Sequence, residues 1–198
     1  MKDISVKALA KINLGLDVVR KREDGYHEVR MVMQTIHLFD RLEISKNTSG
    51  EITMETNLSF LPTNENNLVY KAAKLLQDEF AIKDGVHVWL HKYIPVAAGM
   101  AGGSTDAAAV LYGMNQIFDL GLTREELMER GVKIGADVPY CIMRGTALAE
   151  GIGEKLSKLP PMVKCPVLIA KPQISVSTKF VYENLKLGSD MVHPDIDR

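Results

Sequence analysis

Residues 95–110 read PVAAGMAGGSTDAAAV, a glycine-rich loop that runs directly into an alanine-rich helical stretch. Gly99, Gly102 and Gly103 let the backbone curl tightly and let a ligand approach it closely. Ser104 and Thr105 place hydroxyls where a helix can begin. The unpaired N–H groups of that first turn, with the helix dipole behind them, suit a phosphate. Upstream, Val86, Val88 and Leu90 alternate with His87, Trp89 and His91, so a strand feeds the loop. The loop is not a Walker A sequence, because no Lys-Ser or Lys-Thr follows its last glycine. Nor does it have the G-x-G-x-x-G spacing of dinucleotide sites. A loop of this composition can also serve only to pack a helix closely on a sheet.

Strand patterns dominate the chain before this unit. Ile4, Val6, Ala8 and Ala10 alternate with polar or small residues, and Ile12, Leu14, Leu16 and Val18 repeat the pattern. This predicts two strands or one long bent one. A polar turn over 20–27 has Asp24-Gly25 at its tip. Strands are expected over 29–45 and 51–56. Asn66 is then a candidate cap for a helix over 67–80, with Leu68, Ala72, Leu75, Leu76 and Phe80 on one face. After the loop a helix is expected over 104–117. Thr123 and Glu126 form a capping-box pair for another. Paired short strands are expected over 141–150, a strand over 163–170, and a short helix capped by Ser177 or Thr178 and running through Leu187. Strands early and helices in the middle indicate an α+β fold. Pro160-Pro161 marks a boundary, giving domains 1–160 and 161–198, the second too short for a robust core of its own.

The 198 residues carry a formal net charge of −1 and 46% hydrophobic residues. That balance, with no long run of one sign, argues against a nucleic-acid binder. The longest apolar stretches are too short for a bilayer, and the N-terminus lacks a signal-peptide core. Cys141 and Cys165 lie far apart, with no metal-ligand spacing, and read as two buried thiols in a reducing compartment. Cytoplasm is the expected location.

Three further places can carry chemistry. Asp137, in GADVP, is a turn residue or a carboxylate that takes a proton from a substrate hydroxyl. Lys11, in AKIN, either points to solvent or stabilises charge on a transferring phosphoryl group. Asn13 projects to the same face as Lys11 on a strand. Tyr26-His27, in a turn, either decorates the surface or grips an aromatic base.

Taken together, AKINLGLDV (10–18), DGYHEVRMVMQ (24–34), NNLVYKAAKLL (66–76), IPVAAGMAGGSTDAAAVL (94–111), IGADVPYCIMRGTALAEGIGE (134–154) and KPQISVSTKFVY (171–182) resemble the GHMP kinase superfamily, in order and across almost the whole chain. The resemblance implies a ribosomal S5 domain 2-like N-terminal domain, followed by a ferredoxin-like domain that is incomplete within 198 residues. It also implies a later G-[ST]-G motif beyond Arg198. ATP and Mg²⁺ are the implied cofactors, with the metal ligands unassigned. By the same resemblance the triphosphate is wrapped by Pro95, Val96, Ala97 and Ala98, then Gly99, Met100 and Ala101, then Gly102, Gly103, Ser104 and Thr105. Asn67 and Lys92 match positions on the adenine side, and Lys11 and Asp137 match the catalytic pair. Tyr26 and His27 match the residues that hold a cytosine. Asn13, Asp106 and Thr178 match the substrate channel. The implied reaction is phosphorylation of the 2-hydroxyl of a cytidine-diphosphate-linked methylerythritol, in the non-mevalonate route to isoprenoids. The alternatives are a GHMP kinase for mevalonate, homoserine or a sugar, and a non-catalytic S5-like RNA-binding module.

Overall fold

A computed structural model describes residues 3–172, 174, 178–185, 187 and 192–196, without the side chains of residues 178 and 179. Two long antiparallel strands form its spine. β1 (Asp3–Lys21) pairs along nearly its whole length with β2 (His27–Asn47) through the 20–27 turn. On the other edge of β2 lie β4 (Gly85–His91) and β5 (Thr146–Glu150), followed outward by β3 (Ile52–Thr56) and β6 (Lys155–Lys158). Among the described residues only β3 and β4 run parallel, joined through α1 (Leu68–Glu79).

Alternation decides which face is covered. Val6, Ala8, Leu42, Ile44, Val86, Val88 and Leu90 are all buried. They meet α1 and the long helix α2 (Gly102–Ile117), whose Ala107, Val110, Leu111 and Met114 are also buried. Small side chains on α2 allow this close seat: a Cβ on Gly113 would stand 2.4 Å from Ile44 Cδ1. A satellite core of Ala10, Ile36, Ile94 and Met100 lies beneath the glycine loop.

Helix starts follow side-chain chemistry. The cap of α1 is Asn67, one residue later than Asn66, because its Oδ1 accepts the N–H of Val69 at 2.9 Å. The Thr123–Glu126 box closes in both directions at the head of α3 (Arg124–Val132), which continues through Gly131. Thr123→Ala should therefore cost about 1 kcal/mol, read as a lower urea midpoint with an unchanged slope.

Three expectations change. Val138–Met143 is a helix, α4, which takes in residues 141–143 of the paired strands expected over 141–150; Pro139 sits in its first turn and Arg144 ends it at φ 61°. A buried apolar run this short has the same pattern in either state. Residues 163–170 form no regular element, are exposed, and pair with no strand among the described residues. Cys141 is buried as expected, but Cys165 is exposed. The last helix, α5, covers Thr178–Glu183, while Ser177 lies outside the described residues. The chain after it returns to β1, where His193 Nδ1 lies 2.9 Å from both carboxylate oxygens of Asp17.

Candidate active site

A register irregularity on the spine creates the centre of the site. Leu9 faces Phe39 on β2, yet Lys11 faces Thr35, so β2 carries extra residues there. Before this bulge the even-numbered residues of β1 point inward; after it Lys11 is buried as well. Bulges re-aim side chains in this way. The side chain of Lys11 is only 7% exposed, and its Nζ lies 3.7 Å from Asp137 Oδ2 and 3.2 Å from Asn13 Oδ1. A buried ammonium needs such partners, since desolvation would otherwise favour its neutral form.

Asp137 arrives from the opposite side, at the head of α4. That short helix is fastened to the strand residue facing Lys11. The Tyr140 hydroxyl donates to Gly145 O at 2.7 Å and lies 3.0 Å from Thr35 Oγ1. Thr35 N donates in turn to Gly145 O, and Thr35 Oγ1 accepts from Gly145 N, each at 3.0 Å. Burial pushes the Tyr140 phenol up to about 12, so it stays a hydrogen-bonding hydroxyl.

The glycine loop closes on the same place. Lys11 N donates to Met100 O at 3.2 Å, and Thr105 Oγ1 donates to Leu9 O at 2.8 Å. The Thr105 hydroxyl thus ties α2 to β1. The helix starts at Gly102, two residues before the expected start, with no side-chain cap. The N–H groups of Gly102, Gly103 and Ser104 therefore lack helical acceptors. Just ahead, Ala97, Gly99 and Ala101 adopt φ of 54°, 70° and 56°. Alternating left-handed residues turn successive N–H groups into a concave anion cradle. The two alanines store about 1–2 kcal/mol each in doing so, and such strain persists only where the surroundings enforce it.

The remaining expected site residues divide. Tyr26 is 60% exposed at the end of the turn, beside His27 at the first position of β2. Tyr182 of α5, which the sequence reading missed, stacks on the His27 ring with centroids 5.0 Å apart. Burial, and then the charge of Asp137, raise the Tyr182 phenol pKa. The signal available was its i+4 spacing from Thr178 on one helix. The Thr178 side chain itself lies outside the described residues. Asn67 has its amide engaged at both ends, since Nδ2 also donates to Pro62 O at 2.8 Å. Lys92 and Asp106 do not line an open surface either. Both are buried, joined at 2.7 Å, and share the ammonium of Lys92 with Asp40, a residue the sequence reading did not single out.

Residues 67–145 match the GHMP kinases N terminal domain family. The chain is 62% identical over 194 residues to the 4-diphosphocytidyl-2-C-methyl-D-erythritol kinase of Lachnoclostridium phytofermentans, covering 98% of this chain and 67% of that one. It is 60% identical over 197 residues to the kinase of the same name from Lachnospira eligens, covering 100% of this chain and 68% of that one. The chain thus spans about two thirds of the length of these relatives. A crystal structure of 4-(cytidine 5'-diphospho)-2C-methyl-D-erythritol kinase superposes with a TM-score of 0.79 at 34% identity, over 92% of this chain and 65% of that one. Homoserine kinase from Cytophaga hutchinsonii shares the fold, with a TM-score of 0.66 at 19% identity over 96% of this chain and 61% of that one.

Proposed function

The chain belongs to the GHMP kinases, in the branch of the 4-diphosphocytidyl-2-C-methyl-D-erythritol kinases, and from that premise we propose that it moves the γ-phosphoryl group of ATP to the 2-hydroxyl of that cytidine-linked substrate. The observation carrying this reading is the double attachment of Lys11. Its backbone bonds the phosphate loop at Met100, and its side chain faces Asp137.

The substrate oxygen forms a bond to the γ-phosphorus while the bond from that phosphorus to the β-bridging oxygen breaks, releasing ADP. The hydroxyl proton passes to Asp137, a third exposed and open to a ligand. Lys11 holds Asp137 in place and offsets charge on the transferring group. The cradle at 97–101 and the free N–H groups of α2 receive the β- and γ-phosphates. Phosphoryl transfer needs mainly such positioning and charge stabilisation. Among the described residues no three His, Cys, Asp or Glu side chains stand together as a metal cage. An Mg²⁺ ion accompanying ATP would supply positive charge to offset the negative charge of the phosphates. The cytosine lies by Tyr26 and His27, with Tyr182 behind. Residues 161 onward begin the second domain. Both substrates are water-soluble, and among the described residues no helix is long and apolar enough to cross a membrane; the proposed setting is the cytoplasm.

The test is ADP release with 4-diphosphocytidyl-2-C-methyl-D-erythritol, mevalonate and homoserine offered separately. Turnover with the first alone is expected, with competition by CMP. Tyr26→Ala should raise KM for the cytidine substrate by roughly tenfold, since stacking a base on an aromatic ring contributes about 1–3 kcal/mol, with KM for ATP little changed. Turnover with mevalonate or homoserine, unaffected by CMP, would overturn the assignment.

A further inference from the structure

The strained loop needs something to hold it, and the two carboxylates around Lys92 are not used by the chemistry above. Lys92 follows β4 just ahead of the loop, and Asp106 lies in the first turns of α2 just behind it. Asp40 lies on β2 beneath both. Their side chains are 4%, 3% and 0% exposed. Lys92 Nζ donates to Asp40 Oδ2, and to Asp106 Oδ2 at 2.7 Å. The other oxygen of Asp40 accepts the backbone N–H of Tyr93 at 2.5 Å and of Ile94 at 2.8 Å. Asn57 grips the Lys92 backbone at both polar groups, 2.8 and 3.1 Å away. At the far end of the loop, a Cβ on Gly102 would stand 3.1 Å from Lys92 Nζ. Residues 92–94 and 102–106 therefore converge on one ammonium, with the loop between them.

We propose that Asp40, Lys92 and Asp106 are positioning residues that hold both ends of the phosphate loop, with Asp106 working as an uncharged acid so that one carboxylate balances the ammonium. This rests on the reading of the loop as the ATP triphosphate site. With both carboxylates ionised the cluster would carry one net negative charge in a dry place, on the very helix turns meant to receive a polyanion. Burial, outweighing the pull of Lys92 and reinforced by the Asp40 charge, pushes the Asp106 carboxyl up to about 8. Its Oδ1 is buried with no hydrogen-bond partner in the described structure, a situation costlier for a carboxylate than for a neutral acid.

The other titratable groups packed nearby do not supply a competing charge. β1 contributes Lys11, turned to Asn13 and Asp137. α4 contributes the Cys141 thiol, which burial keeps protonated. On α1, Lys71, Lys74, Asp78 and Glu79 lie on the exposed face. With Asp106 protonated one carboxylate balances the ammonium, and its ionisation on the alkaline side adds a negative charge to the cluster. ATP affinity should fall as pH rises through that ionisation and, by linkage, bound ATP should hold the proton on Asp106 more tightly.

The intact chain would be titrated with a fluorescent ATP analogue from pH 6.5 to 9.5. In the unsubstituted chain Kd should rise on the alkaline side, with a midpoint near 8. Asp106→Asn should flatten that limb, bringing the ratio of Kd at pH 9 to that at pH 7 close to 1. Asp40→Asn and Lys92→Met should each weaken binding at least about tenfold at every pH, the size expected for losing a charge-assisted hydrogen bond. Retention of the alkaline limb in Asp106→Asn, or unchanged Kd in Lys92→Met, would overturn the proposal. If either Asp40→Asn or Lys92→Met fails to fold by circular dichroism, the Asp106→Asn comparison decides alone. An unsubstituted chain that binds no nucleotide at any pH would instead remove the ATP-site reading, and this proposal with it.

Discussion

Asp137→Asn is expected to lower turnover by between about 10² and 10⁴, the usual contribution of a positioned acid or base, while ATP still binds. Asparagine keeps the size of the side chain and one oxygen toward Lys11, so α4 and its Tyr140 anchor should stay in place. What disappears is the ability to take the hydroxyl proton. The loop N–H groups proposed to receive the nucleotide belong to the backbone and are unaffected. Removing a negative charge beside the triphosphate should leave affinity equal or slightly higher. The comparison is kcat from ADP release against Kd for ATP in the same variant. Near-normal kcat would take Asp137 out of the mechanism. A parallel loss of kcat and ATP affinity would mean that it positions the nucleotide instead.

Gly85→Ala should be the most disruptive glycine-to-alanine change among the described residues. A Cβ at that position would lie 2.2 Å from Asn47 Oδ1, 2.2 Å from Glu51 O and 2.6 Å from Glu51 N. The side chain of Asn47 could move, but the Glu51 backbone could not do so cheaply. Glu51 O already accepts Val86 N at 3.0 Å, where β3 comes into line with β4. Relief must therefore come from shifting a strand pair that also carries Val86 and Val88 of the core. A cost of about 3 kcal/mol is expected, with a fall in Tm on the order of 10 °C for a chain of this size. Thermal unfolding with a midpoint within 2 °C of the parent, an arbitrary limit of about half the shift per kcal/mol, would show that this corner is softer than its packing implies.

Much of this molecule was legible in the chain. Alternation over 4–18 and 86–90, the helical stripe over 68–76 and the Thr123–Glu126 box are local patterns, and local backbone geometry enforces them. The loop was legible for the same reason: glycines and a helix start imply free N–H groups wherever the unit sits. The convergence of Lys11 with Asp137, 126 positions apart in sequence, was expected only through resemblance to known kinases.

Other features had no local signature. The bulge opposite Lys11 depends on how many residues β2 spends between two pairings, and a strand pattern does not record that count. The six residues 138–143 span fewer than two helical turns, too few for a repeating pattern, so burial between α2 and α3 decided their state. Asp40 looked like any charge on a half-exposed strand. It became the partner of Lys92 because the chain before the loop folds over β2 and removes both groups from water. Tyr182 met His27 only when α5 returned to the sheet. Sequence by itself determined the backbone periods, the capping box of α3 and the glycine-loop-to-helix unit, since these depend on neighbours a few residues apart. Tertiary structure alone decided which charges are buried together, because desolvation and pairing are properties of a place that distant segments build between them.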